Sequence, residues 1–394
     1  MKTKSLRRFF SLAALLLAAR ALSTEAAEDE MSIDKWAKGA RLIPISLSGF
    51  TGEVAAALRF DLEIMGFTNV SPDQAQYIVT GSNNGQVEGR LTDRISKAAL
   101  LARAYAGGAP RSQAHALADD IVLAITGKKG IARTKIAFRA ELGSNISEIY
   151  IADYDGRNAV AVTKDHSNNV APCWVPGRRK LYYTSYRMGN PDVYSHDLAS
   201  GLRKAIAHYS GLNTSAAVSP DGNHVALILS KNGSPDLYVC DAEGGDLKQL
   251  TRTREDESSP CWSPDGRMIC FVSRDGRPGL YTISADGGAM RRIRTAGVFN
   301  GTEPDWSPDG KTIVFTTQRG GASFEICTVP AEGGTVTALG VSGEDPSWAP
   351  NSRTVIFATR KRGNRVLSLL DVPTKQVKDI APVTGSCSQP SWAK

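Results

Sequence analysis

Histidine is scarce in this chain. The five copies, His115, His166, His196, His208 and His224, include no pair at the spacing of a metal site. No Gly-x-Ser-x-Gly elbow, His-Glu-x-x-His, phosphate-binding glycine loop or Cys-x-x-Cys occurs. The familiar signatures of serine hydrolases, zinc proteases, NTPases and thiol oxidoreductases are therefore missing. The apolar stretch Leu12 to Ala19 is too short to cross a membrane as a helix. No Lys/Arg run after the first residues exceeds three, so neither nucleic acid nor direct membrane contact is expected. The six cysteines are read as single thiols, with no bridge assigned. Cys173 and Cys261 fall two repeats apart, Cys240, Cys270 and Cys327 fall within strands, and Cys387 is expected to be the exposed one.

What is present begins with an export leader, Met1 to about Ala27. Lys2, Lys4, Arg7 and Arg8 precede the apolar run, and small residues follow, with possible cuts after Ala21, Ser23, Ala26 or Ala27. No cysteine stands at a lipidation position, so a soluble exported protein is expected. The formal charge of +7 is largely the leader's, because residues 1–27 hold five cations and one acid, Glu25. The basic balance is then weak evidence about partners.

The strongest signal is a repeat. Ser259-Pro260-Cys261-Trp262-Ser263-Pro264-Asp265-Gly266 returns in related form around Trp174, Val218, Trp306, Trp348 and Trp392. Successive copies lie 44, 44, 44, 42 and 44 residues apart, a period that belongs to propellers and repeat arrays. Each unit reads as four short strands. The first ends at the tryptophan, a Ser-Pro-Asp-Gly turn follows, and an alternating strand such as Thr312-Ile313-Val314-Phe315-Thr316 comes next. A Tyr-containing strand, a Gly-Gly turn and a short last strand complete it, which is a propeller blade. Six second strands, beginning near Thr134, Arg179, Asn223, Arg267, Lys311 and Arg353, make six blades. The first lacks a tryptophan strand and the last tryptophan strand, at Trp392, lacks a blade. The C-terminal strand is therefore expected to join blade 1 and close the ring, which removes the open sheet edge.

The chain divides into the leader 1–27, an N-terminal α/β domain 28–127 and a propeller 128–394. The fold class is mainly β, a six-bladed propeller preceded by a small α/β domain. In the N-terminal part, Arg41 to Ser46, Ala75 to Gly81 and Gln86 to Thr92 read as strands. Glu53 to Gly66 and Arg111 to Thr126 read as helices, with Val54, Leu58 and Leu62 on one face and Ala114, Leu117, Ala118, Ile121 and Val122 on the other's. Lys97 to Tyr105 fits either a helix or a third strand.

Few residues suggest chemistry. His115 reads as a hydrogen-bonded structural residue, and the turn aspartates each serve their own blade. Asp153-Tyr154-Asp155-Gly156 resembles the start of a calcium loop but lacks its later ligands. No cofactor and no metal is implied. The loops leading into the tryptophan strands are small, polar and acidic, as in Gly211-Leu212-Asn213-Thr214-Ser215 and Asp256-Glu257-Ser258-Ser259. They suit a protein or peptide better than a phosphate.

The repeat, with Arg111-Ser112-Gln113-Ala114-His115, Asp119-Asp120-Ile121 and Thr126-Gly127-Lys128-Lys129-Gly130 ahead of it, resembles the TolB family of the periplasmic Tol–Pal system of Gram-negative envelopes. The resemblance covers essentially the whole mature chain. It implies a non-catalytic, monomeric adaptor that supports envelope integrity and outer-membrane invagination during division. Its propeller face would bind a Pal-like peptidoglycan-associated lipoprotein, with Leu212, Ser215 and Ser258 matching contact positions and Asn213, Thr214, Glu257 and Thr302 lining the same rim. Its mature N-terminal segment, about Glu28 to Lys38, would engage a TolA-like inner-membrane protein, and the membrane would be reached only through partners. Two other readings compete: a hydrolase or lyase built on the propeller, and an exported ligand- or glycan-binding propeller stacking sugar on Tyr182, Tyr183 and Tyr186.

Overall fold

The computed structural model describes residues 40–274, 278–318 and 323–394. The expected leader and the segment Glu28 to Lys38 lie outside the described residues.

The N-terminal domain runs β1 (Ile43–Ser48), α1 (Gly52–Ile64), β2 (Phe67–Asn69), β3 (Tyr77–Ser82), β4 (Val87–Asp93), β5 (Ala99–Tyr105) and α2 (Pro110–Thr126). The sheet order is β2-β1-β3-β4-β5. Both helices turn the expected apolar residues inward. The ambiguous stretch is strand β5, because the turn before it leaves no alternative. Asp93 Oδ1 accepts the N–H groups of Ile95 (2.9 Å) and Ser96 (2.8 Å), and Lys97 takes φ 60°. That tight turn sends the chain straight back along β4, and the pairing overrides the helix preference of Ala and Leu.

Six four-stranded sheets follow. The inner strands of blades 2 to 6 are Asn169–Trp174, Asn213–Val218, Glu257–Trp262, Thr302–Trp306 and Glu344–Trp348. Blade 1 takes its inner strand from the other end of the chain: Ser386–Trp392 pairs antiparallel with Lys135–Gly143, in register Trp392 with Ile136 and Cys387 with Ala140. The ring is thus closed as the repeat anticipates. Cys387 is accordingly buried rather than exposed, since it faces inward from the closing strand, and all six cysteines are free thiols.

The Ser-Pro-Asp-Gly turn owes its recurrence to a closed hydrogen-bond set. In blade 5, Ser307 Oγ donates to Asp309 Oδ1 (2.6 Å) and accepts the Thr312 N–H (3.0 Å), while Asp309 Oδ1 accepts the Lys311 N–H (3.1 Å). Blades 3 and 4 repeat this through Ser219–Asp221 and Ser263–Asp265. Those serine and backbone donors hold Asp221 and Asp265 below the usual carboxylate range. These turns mark one face of the disc, and the loops that lead into the inner strands mark the other.

The N-terminal domain is docked at the turn face of blades 1 and 6. One apolar core runs through both, from Leu58, Leu62 and Ile121 to Phe138, Leu369 and Trp392. Beside it, α2 presents Arg111, His115 and Asp119 at four-residue intervals, one stripe of a helix. Arg111 grips the buried Asp155 of blade 1. His115 Nδ1 donates to buried Asp61 Oδ2 (2.7 Å), and its Nε2 lies 3.7 Å from Asp155 Oδ2. Tyr154 O–H donates to Asp61 Oδ1 (2.6 Å) and its ring stacks on Trp392. Asp119 Oδ1 accepts the Ala132 N–H (2.8 Å) at the junction. The Asp153-to-Gly156 segment is therefore an interdomain clasp. Burial alone would favour neutral His115, but its hydrogen bond to Asp61 and the charges of Asp61 and Asp155 outweigh that and raise its pKa.

Two predictions follow from this packing. Trp392→Ala should cost about 3–5 kcal/mol, read as a lowered denaturation midpoint in guanidinium; an unchanged midpoint would mean that the closing strand carries no stability. The raised His115 pKa gives stability that is complete below about pH 6.5, the unfolded value, and is lost as pH rises through the folded one. Calorimetric Tm should fall with rising pH across that window in the wild type and less in His115→Gln; equal slopes would contradict the assignment.

Candidate functional site

The N-terminal domain leaves the loop face open, and there the channel begins. Its mouth is lined by Ala171, Ser215, Ser259, Glu303, Asp345 and Gln389, with prolines behind five of them. These are equivalent residues of the six inner strands. Each has positive φ, between 51° and 57°, and each sits where the inner strand bulges against its neighbour. A left-handed backbone is uncommon at non-glycine residues, and more so ahead of proline. Six such residues in a circle are a designed rim, of the kind that clusters at functional sites.

The rim is stitched on one side only. The Asp345 N–H donates to Glu303 Oε2 (2.8 Å), the Gln389 N–H to Asp345 Oδ2 (2.9 Å), and the Ala171 N–H to Gln389 Oε1 (2.9 Å). Blades 5, 6, 1 and 2 are thus linked side chain to backbone. At Ala171, Ser215 and Ser259 the side chains are short and, among the described residues, none makes such a link to the next blade. Two residues further along, Asp305 accepts the Trp348 N–H (2.7 Å), Ser347 Oγ the Trp392 N–H (3.3 Å) and Ser391 Oγ the Trp174 N–H (3.3 Å). Below these layers is an apolar cavity of about 420 Å³ walled by tryptophan and proline. Lys394 reaches into it and binds Asp305 with both carboxylate oxygens, at 2.8 and 2.9 Å. Burial first, and then the charge of Glu303, raise Asp345 to about 7.

The seven residues expected at the contact rim divide into two groups. Leu212, Thr214, Ser215 and Ser258 are half-buried on blades 3 and 4, and Thr302 is half-buried on blade 5 beside Glu303. Asn213 and Glu257 are buried, at 0% and 1% exposed, and are corrected from contact to positioning residues. Asn213 Nδ2 donates to the carbonyls of Tyr209 (2.8 Å) and Pro191 (3.1 Å), which ties its loop to the hairpin of blade 2. Glu257 Oε1 accepts Thr253 Oγ1 (2.9 Å) and Ser273 Oγ (3.2 Å), and burial raises its carboxyl to about 7. A polar residue at the start of an inner strand must bond inward, because that strand is covered on both faces. Sequence reading took Ser259, Glu303 and Asp345 only as members of the polar loops and missed the rim residues Ala171 and Gln389, although the X-Pro step before each tryptophan signalled them. The competing sugar reading would need Tyr182 and Tyr183 at the surface; both are core residues, 1% and 0% exposed.

These features define a closed six-bladed β-propeller with an α/β domain clasped to one face and a bulged rim at the other. The chain belongs to the TolB family: the TolB beta propeller domain matches residues 122–394. It is 31% identical over 300 residues, 68% of either chain, to the Tol-Pal system protein TolB of Bordetella pertussis. It is also similar to the crystal structure of TolB from Acinetobacter baumannii, with TM-score 0.81 and 25% identity over 90% of this chain and 97% of that one. The putative TolB from Agrobacterium tumefaciens shares the fold, with TM-score 0.51 and 23% identity over 63% and 88%.

The rim chemistry makes a prediction of its own. Because folded Asp345 holds its proton to about pH 7 and the unfolded carboxyl to only about 4, stability should fall as pH rises between those values. Asp345→Asn, which keeps an acceptor for Gln389, should remove that slope and raise Tm above pH 7. An unchanged profile would show that Asp345 is ionised throughout.

Proposed function

We propose that this protein is a non-catalytic periplasmic adaptor of a Tol–Pal system. Its loop face docks a Pal-like lipoprotein, and the segment Glu28 to Lys38 engages a TolA-like inner-membrane protein. The family supports the system, since its curated relatives carry the name Tol-Pal system protein. The observation that carries the docking face is the asymmetric rim: six bulged residues with their open side at Ser215 and Ser259. The contact candidates Leu212, Thr214, Ser215 and Ser258 gather on that side, on loops pinned by Asn213 and Glu257, with Thr302 next to them on blade 5. A pinned loop loses little entropy on binding, which favours a protein partner docked as a rigid body. The adaptor joins envelope layers only through its partners and supports envelope integrity during division. Among the described residues no helix is long and apolar enough to cross a membrane. The glycan reading loses its platform with Tyr182 and Tyr183 in the core, which leaves Tyr186 alone at the surface.

The test is binding of the purified mature chain to the soluble domain of the Pal-like lipoprotein from the same genome. Ser215→Glu with Ser258→Arg should weaken binding at least about 100-fold, the scale of a lost interface centre, while circular dichroism stays native. Undiminished binding would remove the loop face from the proposal.

A further inference from the structure

Charge is scattered along this sequence, but the fold sorts it. The hairpins between the second and third strands of the blades end on the loop face, outside the rim. In blades 2, 3 and 4 they carry Arg187, Lys231 and Arg274, all exposed. In blade 6 the hairpin is Arg360-Lys361-Arg362-Gly363-Asn364-Arg365, its first three residues exposed. Cross-strand pairing sets Arg360 opposite Arg365, a juxtaposition of like charges that costs stability where nothing offsets it. Some of these cations have acids nearby: Lys361 binds Asp379 (2.6 Å), Arg365 binds Glu344 (3.0 Å) and Arg274 lies 3.9 Å from Asp256. Arg187, Lys231, Arg360 and Arg362 have no ion pair among the described residues. Lys231 lies over the Tyr209 ring at 4.3 Å, which holds its ammonium near the rim. Inside these hairpins the channel mouth holds Glu303 and Asp345, the latter carrying its proton up to about pH 7, with no cation in its lining.

We infer that the partner seated on the loop face carries an acidic perimeter that meets the basic hairpins, and keeps acids away from the channel mouth. The inference rests on the loop-face reading of the previous subsection and adds the chemistry of the surface that fits it. A bilayer is the wrong counterpart. An anionic membrane has one sign everywhere, so it would attract the hairpins, be repelled by Glu303 at the centre, and find no match for the exposed acids Glu255 and Asp256 on the same face. Unpaired hairpin cations at separate points around a mouth that has no cation call for a macromolecule with acids placed to match them, which is a folded protein surface. Such complementarity acts on encounter: it steers the partner into register and raises the association rate, and it fades with salt.

The experiment is stopped-flow association of the mature chain with the soluble domain of the Pal-like lipoprotein, at about 50 and 300 mM salt, which differ about 2.4-fold in Debye length. Two variants are compared with wild type, Lys231→Glu and the double variant Arg360→Glu, Arg362→Glu. Arg179→Glu, on the turn face, changes net charge by the same amount as Lys231→Glu and serves as its control. The hairpin variants should associate about tenfold more slowly at low salt, with dissociation little changed and the difference closing at high salt. Arg179→Glu should behave as wild type. Equal association rates for wild type and hairpin variants would overturn this inference and leave the loop face standing. A defect in Arg179→Glu as large as theirs would overturn it too, because net charge alone would then suffice. Absence of any binding by wild type would sink the loop-face reading and this inference together. Vesicles containing phosphatidylglycerol form the last arm: wild-type binding that the hairpin variants lose would give these cations to lipid and overturn the inference.

Discussion

Everything in this molecule depends on one strand pairing between residues more than two hundred positions apart. Ser386–Trp392 fills the place that blade 1 lacks. Without it the propeller would be an arc with two raw edges, each able to pair with another chain. With it, six inner strands are held in a circle, and the bulge in each can be read as part of a rim. The same pairing brings Trp392 under Thr134 and Tyr154. Tyr154 in turn reaches Asp61, so ring closure and domain docking share one set of side chains.

That sharing gives the structure a direction. The N-terminal domain is fixed to the turn face by Arg111, His115 and Asp119 on a single helix stripe, and by an apolar core continuous with blades 1 and 6. The opposite face keeps its loops free of that domain, yet they are not loose. Asn169, Asn213 and Glu257, each buried at the start of an inner strand, bond to neighbouring loops and hairpins. A face built in this way offers a partner a fixed shape. The adaptor role proposed here needs that property, because a protein that links two others must present one site while the other is engaged.

Much of this architecture can be read from the residues. The 44-residue period, the Ser-Pro-Asp-Gly turns and the stray tryptophan at 392 define six blades and the closure, because each feature has a single geometric solution. The helices follow from apolar spacing. What stayed hidden depends on tertiary placement. Lys97 to Tyr105 has helix-forming residues and becomes a strand because a tight turn lays it against β4. Cys387 looks peripheral and is buried because it belongs to the closing strand. Asn213 and Glu257 look like surface polar residues and are pinned inside. The rim and the sorting of charge across one face needed the fold, since their members lie about 44 residues apart and no local pattern joins them.

The central claim is that closure of the ring turns the loop face into one rigid docking surface. Hydrogen–deuterium exchange of the mature chain, alone and with the soluble domain of the Pal-like lipoprotein, tests it most directly. The account predicts that Ser386–Trp392 and Lys135–Gly143 exchange equally slowly in the free protein, and that new protection on binding falls at Leu212 to Ser215 and around Ser258. Fast exchange of the C-terminal strand, or protection confined to the Ser-Pro-Asp-Gly turns, would contradict it.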